Sequence, residues 1–162
     1  FWLRIVVSED APPVTTPSTD SGTIGGVVWD DLCLNSDPGS GCIEFPEDSG
    51  IYIADGSFGP AENSLSEITI SLASLSCPAD GSLPPAERIL TTAQSDEDGL
   101  YRFQDLDSGM YCIFMDALSE DNVDFLIPGN WTWPATGVGR YTFFLDPGEQ
   151  ALDLDFGWDY AD

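Results

Sequence analysis

Apolar residues recur along the chain in short runs of about four to eight positions, with glycine, proline and aspartate between the runs. An early run starts at Thr23 and continues through Trp29. The later runs lie at 68–72, 88–92, 100–103, 110–115, 131–134, 140–145 and 151–158. No segment has a sustained period of 3.6 residues, so long helices are not expected. The pattern predicts an all-β protein, an antiparallel Greek-key β-sandwich with immunoglobulin-like architecture.

The stretch from residue 91 to residue 112 has the clearest turn chemistry. Asp98-Gly99 places a glycine where a tight turn needs a positive φ, and the chain turns again at residues 107–109. Tyr111 follows two residues after the turn glycine, at the start of a strand. This position is typical of a tyrosine corner, in which the hydroxyl holds the connection in place.

The chain begins with an apolar segment, FWLRIVV, that is separate from the other runs. One face of this predicted strand carries Phe1, Leu3, Ile5 and Val7, and the other carries Trp2, Arg4 and Val6. Residues 8–22 are rich in proline, threonine and serine, which predicts an extended linker. We therefore expect a strand at 1–7, a linker at 8–22 and a sandwich domain at 23–160.

Residues 1–7 have three possible roles. An exposed apolar strand is an aggregation hazard unless something covers it. It could act as a donor strand that inserts into the next copy of the chain, which would build a head-to-tail filament from copies of itself. It could instead form an edge strand of its own domain, or be the end of a preceding domain. The donor strand, with Phe1, Leu3, Ile5 and Val7 at the subunit interface, is the leading hypothesis.

The charge is strongly one-sided. The chain has 29 acidic residues, four arginines and neither lysine nor histidine, for a net charge of −25. This balance disfavours binding to nucleic acid or to anionic membranes. Two explanations remain open: the charge keeps a secreted protein soluble, or divalent cations, most naturally calcium, bridge neighbouring carboxylates.

The missing residue types also exclude several kinds of catalysis. Without histidine or lysine there is no Ser-His-Asp or Cys-His nucleophile, no histidine-containing zinc site and no Schiff base. Catalysis by carboxylates alone, as in glycoside hydrolysis, remains possible. With 29 acidic residues, however, some close pair of carboxyl groups is expected by chance. We predict a non-enzymatic protein with no catalytic residue.

The four cysteines permit three disulfide pairings, and none forms a CxxC spacing. Cys33 and Cys42 bracket a turn-rich loop, so a local bridge there is favoured, which leaves Cys77 to pair with Cys112. Four buried free thiols in a cytosolic protein are the alternative. The sequence has no apolar run of 18 residues, so no membrane-spanning helix is expected.

Four motifs, in this order, resemble SdrD-B-like domains, which are relatives of the Cna-B repeats. They are GTIGGVVWDD at 22–31, DGSFGPAENSLSEITISL at 55–72, SDEDGLYRF with LDSGMYC at 95–103 and 106–112, and LDPGEQALDLDFGW at 145–158. The resemblance covers about residues 22–160. It implies a prealbumin-like β-sandwich of a secreted or cell-surface protein, a stalk, spacer or adhesin module that is often stiffened by calcium.

The resemblance also implies metal ligands. The family's acidic loop corresponds to Asp30 or Asp31 and to Asp55 and Glu62, and the hairpin turn corresponds to Asp96 and Asp98. The alternative for the last two residues is that they only form a turn. The lysine that some Cna-B relatives use for an isopeptide bond is absent here, which implies that disulfides supply the crosslinks.

A second function is a cell-surface adhesin. Trp131 and Trp133 could stack against a sugar of a host or matrix glycan, although alternate tryptophans on one strand more often lie in a core. Both functions imply an extracellular location.

Overall fold

The computed structural model describes residues 20–33, 40–135 and 137–161. No helix in these ranges is long and apolar enough to cross a membrane. The described residues form twelve strands, a short helix α1 at Val123–Leu126 and a 3-10 turn at Ala86–Arg88. The strands are β1 (Gly22–Asp30), β2 (Cys42–Glu44), β3 (Tyr52–Ala54), β4 (Asn63–Ser64), β5 (Thr69–Ser74), β6 (Ile89–Gln94), β7 (Leu100–Leu106), β8 (Gly109–Phe114), β9 (Gly129–Trp133), β10 (Arg140–Leu145), β11 (Gln150–Ala151) and β12 (Phe156–Tyr160).

The strands form two main sheets, as predicted for a β-sandwich. In the first sheet, β1 is central, with β7 and β4 on one side and β11 and β12 on the other, and β9 pairs with β12. The second sheet has the order β10-β8-β5-β6 and is antiparallel throughout. A separate hairpin, β2-β3, lies in the segment between β1 and β4.

One feature of the first sheet differs from the simple antiparallel pattern. The run at 151–158 forms the end of β11 and the start of β12 instead of one strand, and both pair with β1 in parallel. The intervening chain passes very close to β1. A Cβ on Gly26 would lie 2.4 Å from the carbonyl oxygen of Leu154, so only glycine fits there.

The core lies between the two sheets and draws on both. Large side chains with less than 2% exposure include Ile24 and Val28 from the first sheet and Ile70, Leu72 and Ile113 from the second. The alternation of buried and exposed positions along β7 follows the period of two that the sequence pattern predicts. Burial of this apolar surface is the main stabilising contribution to such a fold.

The predicted hairpin and corner are both present. Gly99 has a φ of 74° in the turn between β6 and β7. The hydroxyl of Tyr111 donates a hydrogen bond to the carbonyl oxygen of Asp107. Strand β10 has the predicted limits, whereas Arg88 lies in the 3-10 turn and not in a strand. Its guanidinium donates to the carbonyl oxygen of Ser74, 2.9 Å away, which ties the turn to β5.

Candidate functional site

Two disulfides fix loops to the sandwich, and they are the predicted pairs. Cys33, just after β1, is joined to Cys42 at the start of β2. Cys77, after β5, is joined to Cys112 in β8. The second bridge covers a small cluster on the outer face of the second sheet, in which Cys112 packs with Ala73 and Phe114.

Asp31 is the centre of the acidic site. It directly follows β1, and none of its surface is exposed. Its Oδ2 atom accepts a 2.8 Å hydrogen bond from the backbone N–H of Gly56. Its Oδ1 atom is buried and has no hydrogen-bond partner in the described part of the chain. A buried oxygen without a partner is costly, so a proton or a cation at Oδ1 would stabilise the folded protein.

Glu62 faces Asp31 from the loop before β4. Its two carboxylate oxygens accept hydrogen bonds from the backbone N–H groups of Leu32, at 3.1 Å, and Gly59, at 2.6 Å. Glu62 thereby holds the loop at 59–62 against the end of β1. The two carboxyl groups interact directly, and this brings together two residues that the sequence places 31 positions apart.

The electrostatics of the pair follow from this burial. Burial raises the pKa of Asp31 to about 6, and the adjacent Glu62 carboxylate adds to the rise. The Thr132 hydroxyl and the Gly56 N–H favour the ionised form and limit the pKa increase. Thr132 Oγ1 is itself buried without a hydrogen-bond partner among the described residues. The Thr132 hydroxyl thus lies close enough to Asp31 to stabilise its charge but makes no hydrogen bond of good geometry, so an oxygen just after β1 and an oxygen of β9 lie together here.

A cavity of about 290 Å³ lies beside Glu62. Its walls include Leu32, Gly41, Asp55, Ser57 and Pro60. The cavity therefore opens next to the Asp31–Glu62 pair and has Asp55 on its wall. It is large enough for a small ligand or a hydrated ion.

Asp30 belongs to a different pair. Its Oδ1 atom is also buried without a hydrogen-bond partner in the described ranges. Burial raises the pKa of its carboxyl group, and Asp159 and then Asp31 raise the pKa further. Asp159 lies in β12, whereas Glu62 precedes β4, on the other side of β1.

The remaining predicted ligands serve local turns. Asp55 Oδ1 accepts from the N–H of Ser57 at 2.8 Å. Asp96 Oδ1 accepts from the N–H groups of Asp98 and Leu100, at 3.0 and 2.9 Å, as expected for the turn alternative. Within 20–33, 40–135 and 137–161, no three acidic or cysteine side chains are grouped closely enough to hold a metal ion. Among the six predicted ligands, Asp31 and Glu62 have carboxyl groups that interact directly with each other.

The two tryptophans of β9 have different environments, and this corrects the stacking platform predicted from the sequence. Trp131 is 7% exposed, and its ring packs against Trp158 and Phe156 in the core. It has no free face for a sugar. Trp133 is 43% exposed and lies next to Gly56, beside the acidic site. The predicted donor-strand residues Phe1, Leu3, Ile5 and Val7 lie outside the described residues.

Comparisons with known proteins give only distant matches. No protein-family model matches the sequence, and a search of curated proteins finds no significant match. The solved structures that match at low identity include two pilins and a third protein. The minor pilin GBS52 of Streptococcus agalactiae matches with a TM-score of 0.45 and 9% identity, over 88% of this chain and 46% of the pilin. The major pilin BcpA of Bacillus cereus matches with a TM-score of 0.42 and 14% identity, over 87% of this chain and 30% of the pilin.

A third solved structure that matches is that of a Pseudomonas aeruginosa protein proposed to bind carbohydrate. It matches with a TM-score of 0.38 and 13% identity, over 91% of this chain and 97% of that protein. The chain thus spans less than half the length of either pilin. Similarity this distant does not indicate a shared function, so function has to be inferred from the residues of this chain.

Sequence reasoning missed Thr132 and Gly56, which complete the surroundings of Asp31. Thr132 lies between the two tryptophans and points to the opposite side of β9, as the strand period of two requires. That alternation was a usable signal. The pairing of β9 with β12, and of β12 with β1, is what brings Thr132 near Asp31.

Proposed function

We propose that this protein is a non-enzymatic, extracellular structural subunit that assembles head to tail, with residues 1–7 of one copy inserted as a strand into the next. One observation carries the proposal. The described residues form both sheets and the core between them, and the sequence carries a further apolar segment, FWLRIVV, outside those residues. A strand with seven residues and one charge gains most when it pairs with an unfilled sheet edge.

The chemistry of the domain supports a mechanical role. Two disulfides brace the fold, and such bridges persist in oxidising compartments outside the cytosol. The chain has neither lysine nor histidine. Asp31, whose carboxyl pKa is raised to about 6, is fully buried, so a substrate could not contact it directly. These properties favour cohesion over catalysis.

We further propose that a divalent cation, calcium being the natural candidate, binds between Asp31 and Glu62. The unsatisfied Asp31 Oδ1 and Thr132 Oγ1 atoms supply oxygen ligands, which calcium prefers. Asp55, on the wall of the adjacent cavity, is a further carboxylate among the predicted ligands. A bound cation would neutralise the paired charges and fix the loop at 59–62 to β1. Asp30, Asp96 and Asp98 are not part of this proposal.

Sedimentation velocity and electron microscopy of the full chain, compared with a variant that lacks residues 1–7, test the assembly. We expect concentration-dependent polymers from the full chain and only monomers from the variant. Full-length protein that stays monomeric at millimolar concentration would contradict the proposal, as would polymers that persist after the deletion.

A cell-surface adhesin is the second candidate, and one observation favours it. Trp133 offers a partly exposed ring next to Gly56, at the edge of the acidic site. Aromatic faces beside carboxylates suit sugar recognition, in which the ring stacks on the apolar face of the sugar. A glycan screen of Trp133→Ala tests this role. Phe125→Ala is the matched control, because Phe125 has a similar exposure of 44%. The adhesin role would be contradicted if both variants and the unmodified protein bound glycans equally, or if none of the three bound any glycan.

A further inference from the structure

The second sheet carries no acidic residue, although the chain has 29. Its four strands are TISLAS, ILTTAQ, GMYCIF and RYTFFL, and their only charge is Arg140. Two copies with a net charge of −25 each repel one another. A contact between copies costs least where neither surface is acidic. The second sheet is such a surface, and residues 1–7 are also free of acids.

Strand β10 forms an open edge of this sheet. It pairs with β8 on one side, and no other described strand pairs with it. The N–H of Leu75 donates to the carbonyl oxygen of Met110, so Met110 points its backbone groups towards β5. Alternation along β8 then directs Tyr111 and Ile113 towards β10.

The register between β8 and β10 identifies the outward-facing groups. Tyr111 lies opposite Phe143, and Ile113 lies opposite Tyr141. Phe143 and Tyr141 therefore use their backbone N–H and C=O groups for the hydrogen bonds to β8. The backbone N–H and C=O groups of Thr142 and Phe144 therefore point away from the sheet. They are available to an added strand.

The inner face of this edge is apolar, and its outer face carries Phe144 beside Thr142 and Arg140. Tyr141 and Phe143 pack against the core but are only half-buried, because no described strand lies beyond β10. On the outer face, Leu75, Met110 and Phe144 are 61%, 40% and 52% exposed. Met110 and Phe144 lie directly opposite one another, and Leu75 continues the row across the sheet. An added strand would therefore contact apolar side chains on both of its faces.

The segment FWLRIVV fits such an edge. A strand that is buried on both faces has a nearly continuous apolar sequence, whereas one that is half-buried alternates with polar residues. Phe1, Leu3, Ile5 and Val7 match the inner row beside Phe143. Trp2 and Val6, with Arg4 between them, match the outer row of Phe144 and the polar Thr142. The other edge of the sheet, β6, is a poorer acceptor. Its inward side chains are the small Thr91 and Ala93, opposite Leu72 and Ile70.

The start of the described chain lies near the same edge. The N–H of Gly148, three residues after β10 ends, donates a 2.7 Å hydrogen bond to the carbonyl oxygen of Asp20. Twelve residues, 8–19, connect this point to the segment, and three of them are proline. A proline-rich stretch of this length extends about 37 Å, at about 3.1 Å per residue. Strand β10, with six residues, is only about 20 Å long, so a linker of that extended length would reach beyond its own β10 edge to a neighbouring copy.

We propose that the β10 edge is the acceptor: residues 1–7 of one copy pair with the outward backbone groups of Thr142 and Phe144 in the next copy. This inference rests on the proposed head-to-tail assembly and names its second surface. Donor and acceptor are different surfaces of one chain, so each added copy presents a new acceptor and the assembly does not close on itself.

Two complementary full-length variants test the acceptor. Ile5→Asp disables the donor and leaves β10 intact. Thr142→Pro removes the outward N–H and leaves the donor intact. Thr142→Val controls for the hydrogen bond that the Thr142 hydroxyl accepts from the N–H of Cys77. Thr92→Pro, at the equivalent outward position of β6, controls for proline in an edge strand.

We expect Ile5→Asp and Thr142→Pro each to be monomeric, and their mixture to form a one-to-one dimer that grows no further. Thr142→Val and Thr92→Pro should form polymers like the unmodified protein. Polymers from Thr142→Pro together with monomers from Ile5→Asp would place the acceptor elsewhere and leave the head-to-tail assembly intact. Polymers from Ile5→Asp would overturn the assembly itself. A mixture that stays monomeric, with both variants folded by thermal melting, would mean that the strand pairs within its own chain and would overturn the acceptor proposal.

A photocrosslink decides the question if Thr142→Pro does not fold. Benzoylphenylalanine introduced at position 144 of the otherwise unmodified chain should crosslink to residues 1–7 of a second copy. The same group at position 92 should not. Crosslinks within one chain, or equal yields at both positions, would overturn the proposal.

Discussion

The hydroxyl of Tyr111 lies 2.7 Å from the carbonyl oxygen of Asp107 and donates a hydrogen bond to it. This bond joins the first residues of β8 to the turn that precedes it, and β8 is the strand that pairs with β10 in the second sheet. The corner therefore fixes the turn at the end of the sheet that we propose to receive the donor strand.

Tyr111→Phe should destabilise the domain by about 1 kcal/mol, because it removes this hydrogen bond and leaves the carbonyl oxygen of Asp107 without its partner. Urea unfolding would measure the change as a shift in midpoint with an unchanged slope. Tyr160→Phe is the control, since no hydrogen bond of the Tyr160 hydroxyl is found in the described structure, and it should be nearly neutral. Equal effects of the two substitutions would mean that the corner bond contributes nothing.

The disulfides should contribute unequally. The Cys77–Cys112 bridge closes a loop of 35 residues and Cys33–Cys42 one of 9. The loop-entropy model gives about 4 kcal/mol for the longer loop and about 2.5 kcal/mol for the shorter. Replacing both cysteines of each pair with alanine and measuring unfolding without reductant would compare them. A larger loss from the Cys33→Ala/Cys42→Ala variant would show that loop entropy does not dominate.

Calcium should raise the melting temperature of the unmodified protein relative to chelator at the same ionic strength. Binding to the native state alone stabilises it by about 2.7 kcal/mol at a calcium concentration 100-fold above Kd. Glu62→Gln should abolish this increase, since it removes one charge of the Asp31–Glu62 pair. Asp98→Asn should retain the full increase.

Two results would contradict the cation site. One is identical melting of the unmodified protein with calcium and with chelator. The other is an undiminished calcium effect in Glu62→Gln, because the ion would then bind elsewhere.

The pH dependence of stability should contain an unfavourable contribution from Asp155. Its Oδ1 atom accepts a 2.8 Å hydrogen bond from the N–H of Val27, but burial raises the pKa of the carboxyl group above its usual 3.8, and Asp153 adds to this rise. The folded state therefore holds the proton more tightly than the unfolded state. The stabilisation by the protonated form is fully present below pH 3.8 and is lost as pH rises through the folded-state pKa.

Asp155→Asn keeps an oxygen acceptor for Val27 and removes the titration. It should melt at a higher temperature than the unmodified protein at pH 7, and the difference should shrink towards pH 3. Melting curves at both pH values would measure this. A variant that is less stable at pH 7 would show that the charged carboxylate is the stabilising form.

The sequence alone determined much of the fold, because its signals are local. The period of two in β7, the glycine at position 99 and the tyrosine after the next turn each specify their structure within a few residues. The absence of lysine and histidine likewise limits chemistry without any knowledge of the fold. The disulfide pairs could be predicted since two cysteines bracket a short loop and only two others remain.

Only the tertiary structure decided which acids meet and which edge stays open. Asp31 and Glu62 are neighbours because the chain returns past β1 at β4, whereas Asp96 and Asp98 remain in their turn. Trp131 is buried and Trp133 is partly exposed although both lie on β9, because the core covers only part of the strand. These differences arise from contacts between residues far apart in sequence. Local patterns cannot encode them, since pairing depends on how the sheets assemble.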